Sequence, residues 1–262
     1  MPVTESIKEL RRICQQSRED KFYHMPWVER NFARRISIYL TKLFLEIGIS
    51  ANQATSIGFI IMIAGGVFLL FPSPIYWFIG IALLVLYIIL ASVDGEIARY
   101  NKTASPEGAF WGSIPERFFV VYIPICISFG IYHTLHSIFP FIFGFLAAMS
   151  YYLSACAILL PYPILLEKGL LSEALGTAKT AKSGERRSII VRWGYLLFDH
   201  PLKVLFGLFI CSVVDYFISP FIIGSLSFNA RYICFIVYTL AWLGNAIRNI
   251  YLPLHTGVRL RS

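Results

Sequence analysis

Between Glu46 and Asp94 the chain carries no charged residue, and the run is broken only by Phe71-Pro72-Ser73-Pro74. A helix needs about 20 apolar residues to cross roughly 30 Å of hydrocarbon, so this stretch predicts two spans with a turn at the prolines. Four further apolar runs follow. The six predicted spans are Ala54 to Phe71, Ile75 to Val93, Phe118 to Ile138, Phe141 to Leu160, Val204 to Ile223 and Tyr232 to Leu252. Ahead of them, Ile7, Leu10 and Cys14 share one helical face. Val28, Phe32, Ile36, Tyr39 and Leu43 then recur at spacings of three and four with arginines between them. That second stripe predicts a helix lying in the membrane interface with Trp27 as aromatic anchor.

The expected fold class is an all-α integral membrane protein: six transmembrane helices preceded by an amphipathic interfacial helix. Residues 1–46 form the amino-terminal segment and residues 47–262 one membrane bundle. Gly65, Gly66, Gly144, Ala147 and Ala148 are small enough for helices to approach closely. The basic connection from Glu167 to Lys203 reads as a solvated loop, although its "SIIVRWGYLLF" stretch is apolar enough to rest on the membrane surface.

Composition agrees, since 57% hydrophobic and 15% charged residues exclude an ordinary soluble domain. Charge adds orientation. The tail up to Glu46, the second and fourth connections and the carboxyl-terminal residues hold 22 of the 23 Lys and Arg residues. These segments alternate along the chain and therefore share one side, which the positive-inside rule makes cytoplasmic, together with both termini. The location expected is the cytoplasmic membrane. A net charge of +8 confined to one membrane face points to anionic headgroups or phosphorylated substrates and away from nucleic acid. The first thirty residues are charged and lack the apolar core of a cleavable signal. Five cysteines without CxxC spacing read as small buried hydrophobes.

The candidate chemistry follows the second span. In the polar hairpin predicted from Asp94 to Glu116, the acids are Asp94, Glu96, Glu107 and Glu116, with Arg99, Lys102 and Arg117 as countercharges. Carboxylates at a helix end suit Mg²⁺ or Mn²⁺, hard cations that take oxygen ligands and complete their shell with phosphate and water. Among other polar groups in predicted spans, Asp215 and Arg248 must be paired or face a wet cavity. His133 and His136 share a face at the far end without acids, which argues against a ligand role.

The segment "DGEIARYNKTASPEG", Asp94 to Gly108, resembles the front of the signature of the CDP-alcohol phosphotransferases, also called CDP-alcohol phosphatidyltransferases. That signature runs D-x-x-D-G-x-x-A-R, eight residues, then G-x-x-x-D-x-x-x-D. Asp94, Gly95, Ala98, Arg99 and Gly108 fall in register. "SANQATSIGFIIMIAGG" is similar to the family's first transmembrane helix, with Asn52 and Thr55 as its N-x-x-T pair.

The resemblance implies transfer of a phospho-alcohol or phosphatidyl group from a CDP-linked donor to an alcohol acceptor, with release of CMP. It implies metal held at Asp94 and Glu116, Glu116 as general base, and a donor site shaped by Asn52, Thr55, Gly95, Ala98, Arg99 and Gly108. A homodimer is implied as well. In the same register the first acidic position is Ala91 and the third is Gly112, so two of the four carboxylates are absent. Glu116 also fits a capping box begun at Ser113, in "SIPE", and base and cap stand as equal readings. Two functions follow. One is the transferase, and the other is a catalytically silent relative that binds nucleotide or lipid as a partner or regulatory subunit.

Overall fold

The structure is a computed structural model that describes residues 5–15, 29–159, 201–218, 221–223 and 226–255. Helix α1, Ile7–Cys14, opens with a capping box in which Ser6 and Glu9 satisfy each other's backbone amides. A π-helical turn, Glu29–Ala33, leads into α2, Arg34–Ile47, which stops at Gly48. Gly48 sits at φ 83°, where a side chain would strain the backbone. Ser50 and Gln53 form a second capping box for α3, Ala51–Leu69. Helix α4, Pro74–Tyr100, starts on its proline, and Ser105 caps α5, Pro106–Leu135. Then come α6, Phe139–Leu159, α7, Pro201–Phe217, and α8, Ala230–His255.

Each predicted span overlaps a helix. Among the described residues, four helices are long and apolar enough to cross a membrane: Ala51–Leu69, Pro74–Tyr100, Pro106–Leu135 and Ala230–Ile247. Two boundaries differ from expectation. The fifth helix ends at Phe217 rather than Ile223, and Phe221–Ile223 pairs antiparallel with Leu226–Phe228 in a short ribbon, β1 and β2. The predicted hairpin from Asp94 to Glu116 shrinks to residues 101–105, because α4 runs on to Tyr100 and α5 begins at Pro106. Backbone hydrogen bonding has no reason to stop where side chains turn polar, and Ser105-Pro106 is the stronger start signal.

The core lies among α3, α4, α5, α7 and α8, around Met62, Trp77, Leu84, Ile127, Leu205 and Phe235. Small residues make it dense. The Tyr122 hydroxyl donates to the Ile63 carbonyl at 2.9 Å across Gly66, and Gly80 lies against the Gly65 carbonyl. At Gly130 a Cβ would collide with the Leu69 carbonyl oxygen and stand 2.9 Å from Trp77 Cζ2. Neither neighbour can swing aside. Gly130→Ala is therefore expected to lower stability by about 1–3 kcal/mol. Gly244→Ala, whose Cβ meets nothing within 4 Å, should unfold in detergent with the parent.

The expected apolar stripe faces outward: Phe32 in the π-helical turn and Ile36, Tyr39 and Leu43 on α2 are exposed, as is Ile47 at the end of that helix. Its inward face is Ala33, Arg34, Ser37, Ile38 and Thr41. Trp27, Val28 and the connection from Glu167 up to His200 lie outside the described residues. At the end of the bundle remote from Asp94, Asp215 meets Arg231 at 2.6 Å, so the acid that needed a partner in the fifth helix has one. Arg248 belongs to α8, but its side chain lies outside those described.

Candidate functional site

Asp94 sits six residues before the end of α4, where the helix faces the first turns of α3 and α5. The Thr55 hydroxyl donates to Asp94 Oδ2 at 2.7 Å, and the Gly95 amide donates to Oδ1 at 2.5 Å. Opposite, on α5, a Cβ at Gly112 would stand 3.7 Å from Asp94 Oδ2. Ala91 lies one turn back along α4. Thr55, Ala91, Asp94 and Gly112 line a small, partly open cleft together with Ala54, Gly58, Tyr87, Leu90 and Pro115. Three of the four positions where the resemblance places acids thus meet in one cleft. Glu116, the fourth, follows Gly112 by one turn of α5 and is exposed.

The other expected site residues divide. Thr55 joins the cleft through Asp94, whereas Asn52 is exposed on the first turn of α3. Gly108 belongs to the start of α5, where its amide donates to the Ser105 hydroxyl at 3.1 Å. This also revises the capping reading of Glu116. Helix α5 is capped by Ser105, and Ser113, inside the helix, donates its hydroxyl to the Phe110 carbonyl at 2.7 Å. Ala98 is half-buried on α4. Arg99 folds back so that Nη1 lies 3.2 Å from where a Gly95 Cβ would be, and its Nε donates to the Cys14 carbonyl at 2.5 Å.

Glu96 is wholly buried and accepts hydrogen bonds from Gln15, Ser37 and Thr41. It is a junction between helices rather than a ligand in the cleft. Sequence reasoning overlooked these three partners. The signal available was the pair Ser37 and Thr41, four apart on the face of α2 opposite its apolar stripe. It also overlooked Tyr87, 4% exposed, whose hydroxyl has no hydrogen-bond partner among the described residues and whose ring stacks on Phe119 at 5.6 Å.

The fit to Mg²⁺ or Mn²⁺ follows from the donor set. Two cations bridging phosphates need several protein oxygens. Asp94 is the one acid among the residues lining the cleft, and both of its oxygens already accept hydrogen bonds. Positions 91 and 112 supply no side-chain oxygen. Among the described residues no three His, Cys, Asp or Glu side chains gather as a metal-holding group. A two-metal cage does not fit these residues.

No curated protein matches the chain. A family model described as CDP-alcohol phosphatidyltransferase matches residues 49–185, which is more than half of the sequence and contains Thr55, Asp94, Arg99, Gly112 and Glu116. With that match, which covers the three signature positions Ala91, Asp94 and Gly112 that meet between α3, α4 and α5, the chain belongs to the CDP-alcohol phosphatidyltransferase family.

Proposed function

We propose that this chain keeps the donor-binding architecture of a phospholipid-synthesis phosphotransferase and uses it without turnover, binding a CDP-linked nucleotide or lipid as a partner or regulatory subunit. The observation that carries this reading is the pair Ala91 and Gly112 beside Asp94. Phosphoryl transfer proceeds by holding the reacting groups and neutralising charge on phosphate oxygens. A cleft with one carboxylate lacks the means to hold the cations that do so. We infer the setting as well. All six long helices cross the bilayer, the Asp94 end is cytoplasmic with both termini, and the outward stripe of α2 lies in the interface. The exposure of Phe32, Tyr39, Leu43 and Ile47 supports the last point.

The second reading is transfer itself, favoured by the intact Asp94 to Arg99 segment and by Glu116 one turn from Gly112. CMP release by purified protein in detergent with Mg²⁺ or Mn²⁺ separates the two. Across a panel of CDP-linked donors and alcohol acceptors, the parent is expected to bind CDP and release no CMP above background. Turnover by the parent that Asp94→Ala abolishes would establish transfer instead.

A further inference from the structure

We propose that the cleft at Asp94 takes a neutral alcohol hydroxyl, which donates to the Asp94 carboxylate and accepts from the Tyr87 hydroxyl in the space that the missing carboxylates leave. The inference deepens the nucleotide- or lipid-binding reading above and rests on it. It starts from a polar group with nothing to bond. Tyr87 is 4% exposed, and its hydroxyl has no hydrogen-bond partner among the described residues. Burying an unpaired hydroxyl is costly, and a phenylalanine would fill the same space without that cost. A bound molecule that pairs with the hydroxyl would remove it.

The position of Tyr87 says where that molecule lies. Tyr87 and Asp94 are seven residues apart on α4, close to two full turns, so they leave the helix on one face and line the same cleft. The ring is held from both sides. It stacks on Phe119 of α5 at 5.6 Å and packs against α3, where a Gly58 Cβ would stand 3.7 Å from Cδ2. The charges of Asp94 and Glu116 both act on the hydroxyl. Ala91 lies between Tyr87 and Asp94 on the same face of α4, and Gly112 faces Asp94 from α5. A methyl group and a hydrogen thus stand where the family signature has carboxylates, and they leave room.

The donor set names the guest. The polar side chains lining the cleft are Thr55, Tyr87 and Asp94. The Thr55 hydroxyl has one proton and two acceptors for it, Asp94 at 2.7 Å and the Ala51 carbonyl at 3.1 Å. Tyr87 is then the uncommitted donor of the cleft. Among the described residues each Asp94 oxygen accepts one hydrogen bond, which leaves it a second lone pair to offer. A phosphate oxygen would suit Tyr87 but would meet the Asp94 charge at close range. A hydroxyl suits both, since it donates through its proton and accepts through its oxygen. In a CDP-linked ligand that hydroxyl comes either from the ribose or from the alcohol of the head group.

Two measurements test this with Tyr87→Phe, which keeps the ring and removes the hydroxyl. The first is thermal unfolding in detergent without ligand. Tyr87→Phe should unfold at the parent's temperature or a few degrees above it, because it removes a buried donor that nothing satisfies. A lower unfolding temperature overturns the proposal, since it shows the hydroxyl already bonded, as to a resident water.

The second is affinity for CDP, for the CDP analogue lacking both ribose hydroxyls, and for CDP-glycerol. Tyr87→Phe should weaken a hydroxyl-bearing ligand roughly tenfold and leave the dideoxy analogue unchanged. Such a loss on CDP itself assigns the guest to the ribose, whereas loss of only the advantage of CDP-glycerol over CDP assigns it to the head-group alcohol. Equal affinities of parent and variant for all three ligands, or a loss as large on the dideoxy analogue as on CDP, overturn the hydroxyl site and leave nucleotide binding standing. If the parent binds none of the three, the nucleotide reading falls and glycerol alone decides the site. Glycerol must then raise the unfolding temperature more in the parent than in Tyr87→Phe, and equal shifts overturn the proposal.

Discussion

The Ala91→Asp, Gly112→Asp double variant is expected to release CMP from a CDP-linked donor in the presence of Mg²⁺ or Mn²⁺, where the parent releases none. Gly112 is so placed that its Cβ would stand 3.7 Å from Asp94 Oδ2, and residue 91 is one turn from Asp94 on α4. New carboxylates at both positions converge with Asp94 in the same cleft. Three acids crowded there repel one another when no cation is bound. The double variant should therefore be less stable than the parent and should regain thermal stability on addition of Mg²⁺. Removing one well-placed electrostatic stabiliser typically costs about 10²–10³ in rate, so a gain of at least roughly a hundredfold over background is expected. Asp94→Ala in the double variant should erase both the gain and the Mg²⁺ stabilisation. A double variant that binds Mg²⁺ and stays inactive would locate the block elsewhere in the site.

Asp215→Ala is expected to cost about 3–5 kcal/mol of stability, the largest single-residue loss anticipated in the bundle. Asp215 closes the end remote from Asp94 by accepting three hydrogen bonds at once. Its Oδ1 accepts from the Ala230 amide at 2.6 Å, and its Oδ2 accepts from the Arg231 amide at 3.1 Å and from Arg231 Nε at 2.6 Å. Arg231 continues the clasp, donating to the Pro72 carbonyl at 3.0 Å and lying 4.6 Å over the Trp77 ring. The two charged side chains are 3% and 5% exposed. Truncating the acid strands a buried guanidinium and two amides at the start of α8. Asp215→Asn, which keeps an acceptor for the amides and removes the charge, should fall between the parent and Asp215→Ala in a thermal unfolding series in detergent. Identical unfolding of all three would show that the clasp contributes nothing.

Much of the fold was legible in the chain because lipid leaves a helix few alternatives. The apolar runs had to become helices, since no other unclosed structure satisfies backbone groups in hydrocarbon, and each run overlaps a helix, four of which, among the described residues, are long and apolar enough to cross a membrane. Element ends were less legible. Polar residues from Asp94 onward read as a hairpin, yet α4 and α5 run past them until Asn101 and from Ser105. The apolar stripe on α2 was visible, while its direction was not. The stripe faces outward because Ser37 and Thr41 are needed inside for Glu96.

The candidate site divides along the same line. Its location, and the absence of carboxylates at Ala91 and Gly112, can be read from the resemblance to the family signature, whose register marks those positions. Spacing did not say what Asp94 and Glu96 each do. Two residues apart, they point about 200° away from each other around α4. One direction opens into the cleft with Thr55 and Gly112, and the other is buried against α1 and α2. A helix carries no label for which neighbour lies on which side. Chain order settled the membrane class, the helices and the missing acids, whereas the packing of α1, α2, α3 and α5 around α4 decided that one acid faces the cleft and the other holds the amino-terminal helices.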